Sequence, residues 1–140
     1  MELRKANIET DLEILAEMNL SLIIDEGHTN PMNIDQLSER MESWLKVDYE
    51  AEIITDESIV VGYCLWREYS DSTYIRQLFI KPDFRRKGYA KNAIEWLRNN
   101  FWNPDLPLRM EVLIANQIGK DFWENVGFKD YCITLEYNDA

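Results

Sequence analysis

Residues 78–97 read LFIKPDFRRKGYAKNAIEWL: an apolar strand-like run, a proline bend, and a cationic turn with one glycine that opens an amphipathic helix. A helix N-terminus leaves several backbone N–H groups without intrahelical acceptors at the positive end of the dipole, so an anion can settle there. Phosphate is the anion that such a turn suits best. Gly88 lets the backbone approach a ligand with no Cβ between them, and Ala90 keeps the helix surface small beside it. Arg85, Arg86 and Lys87 can add charge-assisted contacts to phosphate oxygens. By charge pattern alone, the other reading is a helix start with a solvated basic face. Neither GxxxxGK[ST] nor GxGxxG occurs, so the nucleoside-triphosphate and dinucleotide signatures are both absent.

Working outward, the strand that feeds this turn spans Thr73 to Ile80 and ends at Lys81-Pro82. Ahead of it, Ala51 to Thr55, a turn at Asp56-Glu57-Ser58, and Ile59 to Trp66 have the β-branched and aromatic content of an antiparallel hairpin. Further upstream, residues 2–6 form a short first strand. Thr10 and Glu13 have capping-box spacing ahead of Leu12, Leu15, Met18 and Leu22, which predicts a helix running to about Asp25 or Glu26, with Gly27 as its stop. Asn33 and Gln36 cap a second helix with Leu37, Met41, Trp44 and Leu45 on one face. Downstream, the third helix carries Ala90, Ala93, Ile94 and Leu97 on its apolar stripe and ends near Asn100. A strand follows from Leu108 to Ile114, then a helix opened by Asn116 and closed by Gly127, and a last strand at about Tyr131 to Tyr137. The fold class is mixed α+β: one sheet covered by helices, in a single domain of residues 1–140, with the segments after Thr73 able to form parallel crossovers.

The 140 residues are enough for a real core, and 46% hydrophobic with 29% charged is ordinary globular usage. The formal net charge of −11 is spread from Glu2 to Asp139, so nucleic acid and anionic membranes are repelled as general partners, while a cationic amine is attracted. The same charge equally serves to keep a chain soluble. Cys64 and Cys132 each lie in an apolar run and read as buried free thiols of a reducing compartment. A single histidine, His28, excludes a multi-histidine zinc site, and no metal spacing is present. No signal-like or membrane-spanning run is found, which makes the cytoplasm the expected location.

The motifs resemble the GCN5-related N-acetyltransferase (GNAT) family. Its [QR]xxGx[GA] hallmark, after a strand ending in an apolar residue plus proline, is matched by Ile80, Pro82, Arg85, Gly88 and Ala90. A second family motif, Asn ahead of a helix closing in Gly-Phe, is matched by Asn116 to Gly127-Phe128. The order of elements is similar along essentially the whole chain. The resemblance implies a mostly antiparallel, twisted sheet with a central V-shaped splay, flanked by about four helices. It also implies acetyl-CoA as acyl donor, no metal, and a primary amine of a small molecule or peptide as acceptor. A homodimer is a common state in the family. The pantetheine arm would run along Leu78, Phe79 and Ile80; the pyrophosphate would lie on the N–H groups from Arg86 through Lys87, Gly88, Tyr89 and Ala90 to Lys91; and Asn116 would contact the cofactor, cap its helix, or both.

Acetyl transfer needs a route for the amine's proton, a donor for the oxyanion and a proton for the thiolate. Many family members place a tyrosine on the fourth helix as that acid. The matching position here is Trp123, whose indole N–H donates a hydrogen bond but is no proton source, so it reads as packing beside the cofactor. The glutamate some members use as base falls at Tyr74, either a donor or relay at the thioester or a cross-strand aromatic. Strict alternation puts Tyr74, Arg76 and Leu78 on one face and Ile75, Gln77 and Phe79 on the other. Arg76 either binds a substrate carboxylate or pairs with Glu68 or Glu111. His28 sits in the loop between the first two helices, which helps to wall the acceptor site in the family, and is either a base at the acceptor or an exposed residue; Glu26 and Asp25 nearby either hold a cationic acceptor or solvate the helix end.

Overall fold

The computed structural model describes residues 1–27 and 31–138. Its sheet has the strand order β1 (Glu2–Lys5), β2 (Glu50–Asp56), β3 (Ile59–Glu68), β4 (Thr73–Ile80) and β5 (Leu108–Met110). The first three pairings are antiparallel and β4–β5 is parallel. Helices α1 (Ile8–Asp25) and α2 (Ile34–Val47) precede β2, α3 (Tyr89–Asn100) crosses from β4 to β5, and α4 (Gln117–Val126) follows β5. This is the mixed, mostly antiparallel sheet with flanking helices that the sequence led us to expect.

Period-2 alternation splits the core into two layers. On one face Ile53, Tyr63, Leu65 and Phe79 meet Leu15 and Met18 of α1 and Met41 of α2. On the other, Ile54, Cys64, Trp66, Ile75, Leu78 and Ile80 meet Ala90, Ala93, Ile94 and Leu97 of α3 and Trp102. Trp123, Val126 and Phe128 dock α4 against this second layer. Each fully buried leucine or isoleucine contributes about 1.5–3 kcal/mol of transfer free energy, so both helical layers are held by burial rather than by propensity.

Several details differ from the sequence reading. α1 is capped by Asn7, whose side chain accepts from Glu9 N–H, and Thr10 lies inside the helix. Asp11 fixes that start: its carboxylate accepts from Asn7 N–H at 2.7 Å and from two Arg4 nitrogens at 2.8 and 3.0 Å. β5 stops at Met110, four residues short of Ile114, because β4, its only strand neighbour among the described residues, parts from it after the Ile75–Met110 pair. Residues 131–137 carry no strand pairing, and Tyr131, Ile133, Leu135 and Tyr137 are exposed despite their strand-like alternation. Cys64 is buried as expected, but Cys132, on that segment, is exposed.

The most consequential difference lies in β4. Leu65 pairs with Gln77 whereas Trp66 pairs with Ile75, which leaves Arg76 as an extra residue facing no partner on β3. This is a β-bulge, and it breaks the alternation. Arg76 therefore shares the α1/α2 face with Tyr74, Gln77 and Phe79, while Leu78 faces α3 with Ile75 and Ile80. The grouping of Tyr74, Arg76 and Leu78 on one face is thus corrected.

Candidate active site

The bulge coincides with the point where the sheet opens. β5 accompanies β4 only over Thr73–Ile75, so among the described residues no strand lies beside the β4 edge from Arg76 to Ile80 on that side. That is the V-shaped splay. It leads directly to the turn that opens α3.

Pro82–Phe84 form a single 3-10 turn closed by Phe84 N–H to the Lys81 carbonyl at 2.9 Å. The chain then turns through two left-handed residues, Arg86 (φ 63°) and Gly88 (φ 84°). The first α3 hydrogen bond runs from Asn92 N–H to the Gly88 carbonyl, and α3 has no side-chain N-cap. Among the described residues, no backbone or side-chain acceptor takes the N–H groups from Arg86 to Lys91. Left-handed residues alternating with others turn successive N–H groups into one concavity, which is a general anion-binding device. At Gly88 a Cβ would meet nothing nearer than Asn92 Nδ2 at 3.7 Å, so it is the positive φ that demands glycine there.

The basic side chains divide their work. Arg85 braces the turn: Nε donates to the Ile80 carbonyl at 2.7 Å and Nη2 to Asp25 at 2.5 Å, near the C-terminal end of α1. Lys87 stands over the Phe84 ring, and Tyr89 OH donates to Asp56 on the β2–β3 turn. The hydrogen bond to Asp56 holds the Tyr89 phenol above its ordinary pKa, and burial adds to that. Arg85 and Tyr89 therefore face the protein with their side chains.

Asn116 caps α4, accepting from Gly119 N–H at 3.0 Å. A Cβ at position 119 would lie 2.5 Å from the Asn116 amide, so that glycine makes room for the cap. Trp123 packs edge-on between Phe122 and Phe128, with ring centroids 5.2 Å away in each case.

On the α1/α2 face of the splay, Tyr74 OH donates to Glu111 Oε1 at 2.8 Å, bridging β4 to the residue just after β5. Burial and that carboxylate both push the Tyr74 phenol well above its ordinary pKa, so it stays protonated at neutral pH. Glu111 is thereby assigned to Tyr74 rather than to Arg76. Arg76 instead lies over the Trp44 ring at 4.6 Å and donates to Tyr49 OH at 3.4 Å. Gln77 accepts from Tyr63 OH at 2.8 Å. Arg40 of α2 stands 4.5 Å from the Trp44 centroid and donates to Asn19 of α1 at 3.0 Å. The structure thus gathers Tyr74 and Arg76 with Glu111, Arg40, Asn19 and Trp44; of these four, sequence reading named only Glu111 here, as a sheet partner of Arg76. Arg40 was findable, since it falls between Leu37, Met41 and Trp44 on the apolar stripe of α2. Glu26 is the C-cap residue of α1, and its backbone N–H donates to the Leu22 carbonyl. His28 lies outside the described residues. Among the described residues no cluster of histidine, cysteine and carboxylate side chains has metal-binding spacing, and no helix is long and apolar enough to cross a membrane.

Comparison with known proteins gives the same picture. Among solved structures, a possible acetyltransferase from Clostridium difficile 630 superposes with a TM-score of 0.78 at 19% identity, covering 99% of this chain and 97% of that one. The aminoglycoside N-acetyltransferase AAC(6')-Iy in complex with CoA gives 0.76 at 17% identity, covering 99% and 93%. A predicted acetyltransferase with acetyl-CoA from Clostridium acetobutylicum gives 0.76 at 18%, covering 98% and 95%. At these identities the likeness is one of fold. Among curated protein sequences none matches significantly. The acetyltransferase (GNAT) domain model matches residues 48–130, from the end of α2 through the cradle to the close of α4, and the chain belongs to the GNAT acetyltransferase family.

Proposed function

We propose that the protein moves an acetyl group from acetyl-CoA to a primary amine of a small molecule or peptide, by direct attack in a ternary complex. The observation that carries this reading is the run of N–H groups from Arg86 to Lys91, unclaimed by any acceptor and placed at the foot of the splayed β4 edge. Those groups and Lys87 would hold the pyrophosphate. The open edge at Leu78, Phe79 and Ile80 would receive the pantetheine arm as a strand receives a neighbour, and Asn116, at the start of α4, would contact the cofactor. Acetyl-CoA supplies an activated acyl carbon and a thiolate leaving group.

The chain's own residues then have to place the amine and take its proton. Tyr74 is a poor acid, because its proton is held by Glu111; its role is to orient that carboxylate. Glu111, exposed just after β5 and hydrogen-bonded by Tyr74, would accept the amine proton. Burial pushes the Cys64 thiol far above its ordinary pKa and Cys132 sits on the exposed segment, which supports direct attack over a cysteine acyl-enzyme.

The test is calorimetric titration with acetyl-CoA, followed by thiol release across polyamines, aminoglycosides, amino acids and peptides. Binding with turnover on one class supports the proposal. Binding without turnover on any would make the protein an acyl-CoA sensor, a reading that the aromatic packing of Trp123 in place of an acid would then explain. On a productive acceptor, Glu111→Gln should lower kcat about a hundredfold, and Tyr74→Phe far less.

A further inference from the structure

The chain carries 26 acidic residues against 15 lysines and arginines, so an arginine pair without a carboxylate partner is unexpected. Arg40 and Arg76 form such a pair. Among the described residues neither lies within 4 Å of an acidic oxygen, although Arg4, Arg67, Arg85 and Arg109 all do; Arg86 and Arg98 are also unpaired, but each stands alone and exposed. Both guanidiniums lie within 4.6 Å of the Trp44 ring centroid, one from α2 and one from the β4 bulge. Burial and the charge of Arg76 both pull the Arg40 guanidinium below its ordinary pKa, as expected of cations held together without a counterion.

The floor of this cluster is also incomplete. Asn19 is fully buried; its Oδ1 accepts from Arg40, while its Nδ2 is turned toward the Tyr63 hydroxyl without reaching hydrogen-bond geometry. Arg40 Nε is likewise buried and unpartnered. Unmade hydrogen bonds at buried donors cost roughly 1–3 kcal/mol each, and every unsatisfied group here is a donor. The ligand they call for is an acceptor-rich anion. Two guanidiniums and an amide N–H match a carboxylate, which takes several donors at once. Arg76 is the exposed end of the cluster and sits at the residue where β4 leaves β5.

We propose that Arg76 and Arg40, backed by Asn19 and Trp44, bind a carboxylate of the acceptor, so that the substrate class is an amine that carries a carboxylate. This deepens the acetyltransferase reading and rests on it for the amine. The experiment uses matched acceptors: α-amino acids and dipeptides with free carboxylates against the same compounds as carboxamides. The free acids should show kcat/KM higher by about tenfold or more, the worth of a charge-assisted hydrogen-bond set. Arg76→Gln and Arg40→Gln should collapse that ratio toward one while the KM for acetyl-CoA is unchanged; Arg76→Lys should restore part of it. Equal use of acids and carboxamides, or a ratio the variants leave intact, overturns the proposal. Where no amine of either kind is acetylated, the activity fails separately, and N-acetylglycine serves as probe. Saturable calorimetric binding that is lost in Arg76→Gln sustains the carboxylate site; no binding overturns it.

Discussion

Gly88→Ala isolates what the left-handed turn contributes. An L-residue in the left-handed region costs roughly 1–2 kcal/mol, and alanine returns about 0.4–1 kcal/mol of that because it has fewer conformations than glycine to lose when the relaxed turn is ordered. No steric term adds to this, since the nearest atom to a Cβ is 3.7 Å away. The net cost is therefore about 1 kcal/mol, or roughly fivefold in an equilibrium constant. The turn is exposed and can relax to negative φ without disturbing the core, so most of the cost should appear in ligand binding. Calorimetric titration with CoA should give a Kd raised about fivefold for alanine, less for asparagine, which enters the left-handed region more readily, and more for valine. The thermal midpoint should fall by no more than roughly 3 °C. Alanine and valine variants that bind CoA as tightly as the parent protein would refute the reasoning, and with it the alignment of the N–H groups from Arg86 to Lys91 as the anion site.

Gly62→Ala should fail for the opposite reason: its Cβ would lie 2.1 Å from the Phe79 carbonyl and 2.9 Å from Ile80 Cδ1, forcing β3 from β4 at a cost of about 3 kcal/mol, measurable as a lowered urea midpoint. Asp11→Asn should cost about 1–2 kcal/mol by urea denaturation near neutral pH, through the bonds to Arg4 and Asn7. Because Arg4 holds the folded Asp11 carboxyl below its ordinary range, that contribution is present above the unfolded value near pH 4 and is lost as pH falls through the folded one; the gap to the parent protein should narrow in acid. Glu52 has the reverse sign: burial and Glu50 raise its folded pKa, so stability declines as pH rises from the unfolded to the folded value. Glu52→Gln should therefore gain on the parent protein at pH 8 relative to pH 4 in matched denaturation curves; an equal difference at both would count against it.

The helices were legible because their signals are local: Asn33 with Gln36, and the stripe from Ala90 to Leu97, say where α2 and α3 begin and which way they face. The cradle was legible for the same reason, its glycine and cations lying within six residues of each other. The acceptor side was not. Arg76 reaches Trp44 and Tyr49, and Tyr74 reaches Glu111, across contacts between elements distant in sequence. Period-2 counting failed at Arg76, since nothing in Tyr74-Ile75-Arg76-Gln77 announces an extra residue opposite β3. The end of β5 at Met110 and the unpaired state of 131–137 escaped likewise, because apolar alternation reports that a segment can pair without naming a partner.

The extra residue in β4 also sets how this surface can change over time. Removing Arg76 would restore regular pairing, because Ile75 and Gln77 already lie on opposite faces and already stand opposite the adjacent residues Trp66 and Leu65. Tyr74 and Ile75 would keep their faces, and the cluster over Trp44 would lose one guanidinium. Arg76 is in this sense an insertion the sheet can do without: at this point the wall can lose a whole residue, whereas a one-residue deletion elsewhere in β4 would turn every side chain before it to the other face.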